Sequence, residues 1–111
     1  ADFRATMDRY AGRIAARGPS ASIVWGAASK GVIFSLFMQQ AGAAIGAAID
    51  INPVKQGKFL PVTGIPIQSP AILHMLPRDA DIYVMNGNYL QEIRDMAGAG
   101  FHFITVDHAN P

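Results

Sequence analysis

The clearest chemical pattern in the sequence is a glycine-rich turn. Gly26, Ala28 and Gly31 stand in the frame G-x-A-x-x-G, which is the dinucleotide-binding fingerprint with its middle glycine replaced by alanine. Asp50 follows about 20 residues later, where a carboxylate that binds a ribose hydroxyl is expected. The middle glycine of the fingerprint lets a pyrophosphate approach the backbone closely, so the methyl group of Ala28 disfavours NAD(P). An NAD(P)-binding fragment of an oxidoreductase is therefore kept only as an alternative.

The same turn is suited to a smaller anion. A Walker P-loop is excluded because two apolar residues follow the last glycine, where that motif has Lys and Ser or Thr. A helix is predicted to begin at this point, and its first backbone amides would attract a phosphate group. The residues of the turn that we expect to bind phosphate are Gly26, Ala27, Ser29 and Lys30. The glycines taken alone are equally compatible with a structural role in a sharp turn and close helix packing.

Two ammonium groups and two amides lie in the loop that follows the second predicted strand. Lys55 and Lys58 supply the charges, and Asn52 and Gln56 supply the amides. Near the end of a strand these groups would be enough to neutralise a diphosphate, although a solvated loop can have the same composition. Asn86 follows a later strand and could also face a ligand. These residues complete a predicted substrate-binding site that includes the turn and the ribose-binding carboxylate.

The elements that must position these residues alternate between strands and helices. Strands are predicted at residues 21–25, 47–51, 65–67, 81–85 and 101–106, and helices at 2–17, 30–40, 70–76 and 88–97. Ser69 is the expected N-cap of the third helix, and Asn88 with Gln91 is a capping-box pattern at the start of the fourth. This order predicts an α/β, Rossmann-like parallel sheet, with strand order 3-2-1-4-5 and helices on both faces. Ligands of such sheets bind at the carboxyl ends of the strands.

The first helix has two faces with different chemistry. One face carries the apolar stripe Phe3, Met7, Tyr10 and Ile14. Another carries Arg9, Arg13 and Arg17, which could attract an anion or an acidic partner but which we interpret as a solvated surface. We predict that residues 1–19 are a linker helix leading from a missing upstream domain, and that residues 20–111 form the Rossmann-like domain. A third hypothesis is a protein-docking module that uses the apolar stripe and binds no small ligand.

Composition excludes several classes of function. The chain has 111 residues, no cysteine and a formal charge of +1, so we expect one folded unit without thiolate metal ligands and without a nucleic-acid surface. No apolar run approaches the ~20 residues of a membrane span, no signal peptide is recognisable, and the lack of cysteine favours the cytoplasm. The histidines, His74, His102 and His108, receive no role, and Asp107 with His108 has no serine nucleophile to activate. We therefore predict no catalytic residue and no metal site.

Four segments together resemble the C-terminal domain of the sugar C-methyltransferase family. They are Trp25 to Gly31, Asp50 to Pro61, Gly64 to Ile67 and Asn86 to Ile93, and they occur in this order. The most specific of them contains the block N-P-x-K-Q-G-K. The resemblance covers about residues 21–96.

The resemblance implies a domain of a larger enzyme. Members of the family combine a small zinc-binding domain, a central S-adenosylmethionine domain and this Rossmann-like domain, which helps to hold a nucleotide-linked deoxysugar. It follows that zinc and S-adenosylmethionine would bind to the missing upstream domains and not here. The expected partners are a nucleotide-diphosphate sugar and the upstream methyltransferase domain of the same chain. The fragment alone would be inactive.

Overall fold

A computed structural model describes residues 2–106 of the chain, and its five strands form one parallel sheet. The strands are β1 (Ser22–Trp25), β2 (Ala47–Ile49), β3 (Ile67–Gln68), β4 (Asp81–Val84) and β5 (His102–Thr105). The α-helices are α1 (Phe3–Arg17), α2 (Ser29–Gln40) and α3 (Leu90–Ala97), and short 3-10 helices cover Pro19–Ala21, Pro70–Met75 and Gly87–Tyr89. The sheet order β3-β2-β1-β4-β5 confirms the predicted α/β fold.

The central strands β1 and β4 are buried along their whole length because both faces of the sheet are covered, and apart from the first residue of each they are apolar. Val24 and Tyr83 face a core cluster with Phe34 of α2 and Ile14 of α1. The next residues along the same strands face a second cluster, which includes Ile93 of α3. Alternate side chains of each strand therefore serve opposite layers, as the period of two in a strand requires.

The apolar stripe of α1 packs on the domain's own sheet. Met7 and Ile14 are buried, and the ring of Tyr10 makes edge contacts with Phe34 at 5.7 Å and Tyr83 at 5.9 Å between ring centroids. A docking module that uses this stripe would have to detach α1 from the core. The stripe is therefore not available as a docking face.

Two arginines of α1 are exposed and in addition form ion pairs, which our interpretation of a solvated surface did not include. Arg13 Nε donates to Asp81 Oδ2 at 2.7 Å, and Arg17 donates to Asp81 Oδ1 at 3.0 Å. His102 Nδ1 lies 3.0 Å from the same Oδ1 atom, and the Asp81 side chain is 0% exposed. Burial opposes ionisation of this carboxyl, but the hydrogen bonds with Arg13 and His102 and the charges of Arg13 and Arg17 together outweigh it and hold the pKa of Asp81 below its usual value.

Two boundaries differ from those predicted. The edge strand is Ile67–Gln68, because Pro66 has no N–H for a ladder and instead pairs with Phe59 in an isolated bridge. The segment at 70–75 is a 3-10 helix, and Ser69 caps it as expected by accepting from the N–H of Ala71.

The start of the last helix was also predicted incorrectly. Asn88 is not an N-cap; its own N–H donates to the side chain of Asn86 at 3.0 Å. A 3-10 turn then precedes α3, which begins at Leu90. The side chain of Gln91 donates to Asp95 instead of closing a capping box. An Asn at the strand end can turn the chain through its own side chain, so the cap lies two residues earlier than the pattern indicated.

Candidate functional site

A cavity of about 600 Å³ opens at the carboxyl ends of β1 and β4, between the glycine turn and α3. Trp25 at the end of β1 and Met85 after β4 form part of its lining. In a sheet of order 3-2-1-4-5 the connections leave these two strands in opposite directions, which is where ligands of open α/β sheets bind. The volume is in the range of small-molecule sites, which is roughly 300–1,000 Å³.

The geometry of the turn requires both of its glycines. Gly26 has a φ of 121°, which favours glycine, and a Cβ added there would lie 3.1 Å from Met85 Cβ. A Cβ on Gly31 would overlap the carbonyl oxygen of Gly26. The first turn of α2 therefore packs directly against the backbone that follows β1. The glycine frame has a structural purpose, whatever ligand the cavity holds.

Asp50 joins the turn to the end of β2. Its Oδ2 atom accepts the backbone N–H of Ala27 at 3.0 Å, and its Oδ1 atom accepts that of Asn52 at 2.9 Å. The carboxylate also lines the cavity. One amide of the turn is thus satisfied by the protein's own anion and is not free for a phosphate group.

The polar loop mainly stabilises its own conformation. Asn52 accepts the N–H of Val54 at 3.0 Å, and the Gln56 amide donates to the carbonyl of Asp50 at 2.8 Å. Lys55 reaches back towards the turn, with its ammonium group 3.5 Å from the carbonyl oxygen of Ala27. Lys58 is exposed. Among the described residues, the side chains that line the cavity include none of the four that we predicted in this loop.

Half of the predicted site residues line the cavity. These are Gly26, Ser29, Lys30, Asp50 and Asn86. Ala27 is buried in the turn. The Oδ1 atom of Asn86 accepts the N–H of Asn88, so this side chain shapes the turn before α3 as well as facing the cavity.

One wall of the cavity was not predicted from the sequence. Tyr89, Glu92, Ile93 and Met96 all line it. Their spacing of three, one and three residues places them on one face of a helix, so the pattern was present in the sequence. The helix was predicted, but not which of its faces meets the strand ends.

The charge of the lining differs from the three lysines that we expected around the ligand. Lys30 is the one basic residue among the described lining residues, and it is accompanied by the carboxylates of Asp50 and Glu92. One cation and two anions give this lining a formal charge of −1. Positive charge lies at the side of the turn, where the Lys55 ammonium approaches Ala27. An anionic group is favoured beside Lys30 and Lys55 and disfavoured in front of α3, where Glu92 is the charged residue of the described lining.

The histidines lie away from the cavity. His74 is exposed on the 3-10 helix at 70–75, and His102 contacts Asp81 at the amino-terminal edge of the sheet. His108 and Asp107 lie outside the described residues. Across residues 2–106 there is no group of three or more His, Asp or Glu side chains placed to hold a metal ion. None of the helices in this range is long and apolar enough to cross a membrane.

Comparison with protein-family models matches residues 2–105 to the family described as the C-methyltransferase C-terminal domain. The chain belongs to this family. The match includes α1 and β5 as well as the region that carries the sequence resemblance, so the whole described sheet belongs to the C-methyltransferase C-terminal domain. A search of curated proteins finds no match for the chain.

Proposed function

We propose that this domain binds the nucleotide-linked sugar substrate of an S-adenosylmethionine-dependent C-methyltransferase. The observation that carries the proposal is the cavity at the carboxyl ends of β1 and β4, which opens beside Lys30 and the first turn of α2. Membership of the C-methyltransferase C-terminal domain family supports the class of reaction to which the domain contributes. The cytoplasm is our proposed location, in keeping with a chain that has no cysteine.

We assign the diphosphate to the part of the cavity beside the glycine turn and Lys30. Ala28 is the N-cap of α2 and makes no side-chain hydrogen bond to it, so the first backbone amides of this helix lack a side-chain cap. Lys30 lines the cavity in this first turn, and the ammonium group of Lys55 lies 3.5 Å from the carbonyl oxygen of Ala27, just before the helix. Two cations and uncapped amides favour a doubly charged group over a neutral one. Lys58 is kept in this proposal as an exposed cation of the adjoining loop.

The alternative of an NAD(P)-binding fragment is less well supported. Ala28 lines the cavity at the point where the fingerprint has its middle glycine, so its methyl group limits how closely a pyrophosphate can approach the backbone. Asp50 already accepts two backbone N–H groups, which leaves less of its capacity for the two hydroxyls of a ribose. Both features oppose the binding mode of a dinucleotide.

The methyl donor and zinc are assigned to other domains of a longer protein. The family's description places such a domain at the C-terminus of a methyltransferase. The upstream methyltransferase domain of the same chain is then the proposed protein partner. In this proposal the present domain positions the substrate, and the upstream domain carries out the methyl transfer.

Calorimetric titration of the 111-residue chain with uridine diphosphate, inorganic pyrophosphate and uridine tests the proposal. We expect uridine diphosphate to bind more tightly than uridine, with an affinity that falls as salt is added. Lys30→Ala should weaken its binding by about tenfold, the effect of losing one charge-assisted contact. Arg78→Ala is the matched control, because Arg78 is exposed beside the amino-terminal end of β4. Equal affinity for uridine and uridine diphosphate would contradict the assignment.

A further inference from the structure

The wall formed by Tyr89, Glu92, Ile93 and Met96 has surface chemistry that the proposed diphosphate site does not use. Ile93 is buried and anchors α3 to the sheet. Tyr89 and Met96, by contrast, are 54% and 53% exposed, and both line the cavity. Exposed large side chains that meet in a concave site are typical of ligand contacts, because such a site buries most of the surface of what it binds.

The opposite side of the cavity is also apolar. Trp25 and Met85 are both buried residues at the ends of β1 and β4, and they face the space in front of α3. A ligand group in this space would lie among two methionines, an isoleucine and two aromatic rings. The polar atoms nearby include the Glu92 carboxylate, which can accept a hydrogen bond but cannot donate one at neutral pH.

These properties select one part of a nucleotide sugar. A diphosphate in front of α3 would face the Glu92 carboxylate, whereas Lys30, the one cation of the described lining, lies in the first turn of α2. A pyranose can place one C–H face on an aromatic ring, but its hydroxyl groups would meet the methionines and the isoleucine without hydrogen-bond partners. A nucleobase has a flat apolar face for stacking and N–H groups at its edge, which match an aromatic ring beside a hydrogen-bond acceptor.

We infer that the α3 wall is the nucleobase subsite, with Tyr89 as the stacking platform and Glu92 as the acceptor for a base N–H group. The nucleotide then lies with its base against α3 and its diphosphate beside Lys30. This inference rests on the proposed function, since it assumes that the cavity receives a nucleotide. It adds an orientation and two specificity-determining residues, Tyr89 just before α3 and Glu92 within it.

The chain contains one tryptophan, and this residue lines the same cavity, so its fluorescence reports directly on the subsite. Uridine diphosphate should change the Trp25 fluorescence, whereas inorganic pyrophosphate should leave it nearly unchanged. Tyr89→Ser should weaken uridine diphosphate binding by about tenfold, the loss expected for one stacked base, and leave the affinity for pyrophosphate unchanged. Tyr89→Phe should retain the affinity, because it keeps the ring. Glu92→Ala, which removes the acceptor, should weaken the binding of uridine diphosphate and not that of pyrophosphate.

Met75→Ala is the matched control, because Met75 is 84% exposed and lies outside the cavity lining. A thermal melt of each variant verifies that it is folded. If uridine diphosphate binds through Lys30 but ignores Tyr89→Ser and leaves Trp25 fluorescence unchanged, the subsite is wrong and the proposed function stands. Loss of pyrophosphate and uridine diphosphate affinity in equal measure on Tyr89→Ser would also overturn the subsite. If neither compound binds to the original chain, both proposals fail.

Discussion

Replacement of Asp81 by asparagine should destabilise the fold far more than the loss of a surface charge. Asp81→Asn keeps the shape of the side chain but removes the anion that Arg13, Arg17 and His102 share. It also places an NH₂ group where arginine donors now point, so one or more donors lose their acceptor. The perturbation therefore tests whether this network stabilises the attachment of α1 to the sheet.

The exposure of the two arginines determines how much stability Asp81→Asn should cost. Removing one member of a fully buried ion pair costs about 3–5 kcal/mol, because the other charge is left buried. Here the Arg13 and Arg17 side chains are 43% and 31% exposed, so both can regain water when the carboxylate is lost. This hydration reduces the expected cost to about 2–3 kcal/mol. For a domain of this size the melting temperature would fall by roughly 10 °C.

Urea unfolding followed by the fluorescence of the buried Trp25 measures this cost. The matched control is Asp79→Asn, because Asp79 is an exposed aspartate two residues away, and asparagine tolerates its positive φ of 61°. The control should change the free energy of unfolding by less than about 0.5 kcal/mol. If Asp81→Asn is equally mild, the network does not stabilise the fold and our interpretation of these contacts is wrong.

Further perturbations test the turn, the pH dependence and the division of labour. Gly31→Ala should cost more than about 1 kcal/mol, because its Cβ meets the carbonyl of Gly26, whereas Gly12→Ala, with open space around it in α1, should gain about 0.5–1 kcal/mol; urea unfolding of the pair compares them. Because the folded pKa of Asp81 is depressed, its contribution is present above the unfolded pKa near 3.8 and is lost as pH falls through the folded value, so acid titration should destabilise the original chain more than Asp81→Asn. Calorimetry should detect no S-adenosylmethionine binding to the isolated chain, because the Asp50 carboxylate, which would have to bind the ribose hydroxyls, already accepts two backbone N–H groups. Measurable binding or methyl transfer would contradict our assignment of the donor to another domain.

The sheet could be predicted because its determinants are local. Runs such as 22–25 and 81–84 are buried on both faces, and the turns between elements are marked by glycine, proline and asparagine. Errors arose where two local signals compete. Asn86 and Asn88 can both act as caps, and the one at the strand end is used. Pro66 shortens the edge strand by removing a donor.

The candidate site was only half predictable, for reasons of geometry. The glycine frame and Lys30 are adjacent in sequence, so their joint position at the strand end follows from the turn itself. The α3 wall comes from a different part of the chain, and its role depends on how that helix is rotated against the sheet. The contact between Arg13 and Asp81 joins residues 68 positions apart, and the spacing of the arginines in α1 could not identify Asp81 as their acidic partner.

The ionic network and the cavity lie at opposite ends of the strands, so stability and ligand binding can be tested separately. Asp81 and His102 begin their strands, so the ionic network lies at the amino-terminal edge, whereas the cavity lies at the carboxyl edge. Sites this far apart, with no shared contacts, usually have additive effects on stability. Lys30 and Tyr89 are exposed side chains of the cavity and are not part of the core. Their replacement should therefore change ligand affinity while the free energy of unfolding stays within about 0.5 kcal/mol, because the residues that stabilise the fold are elsewhere.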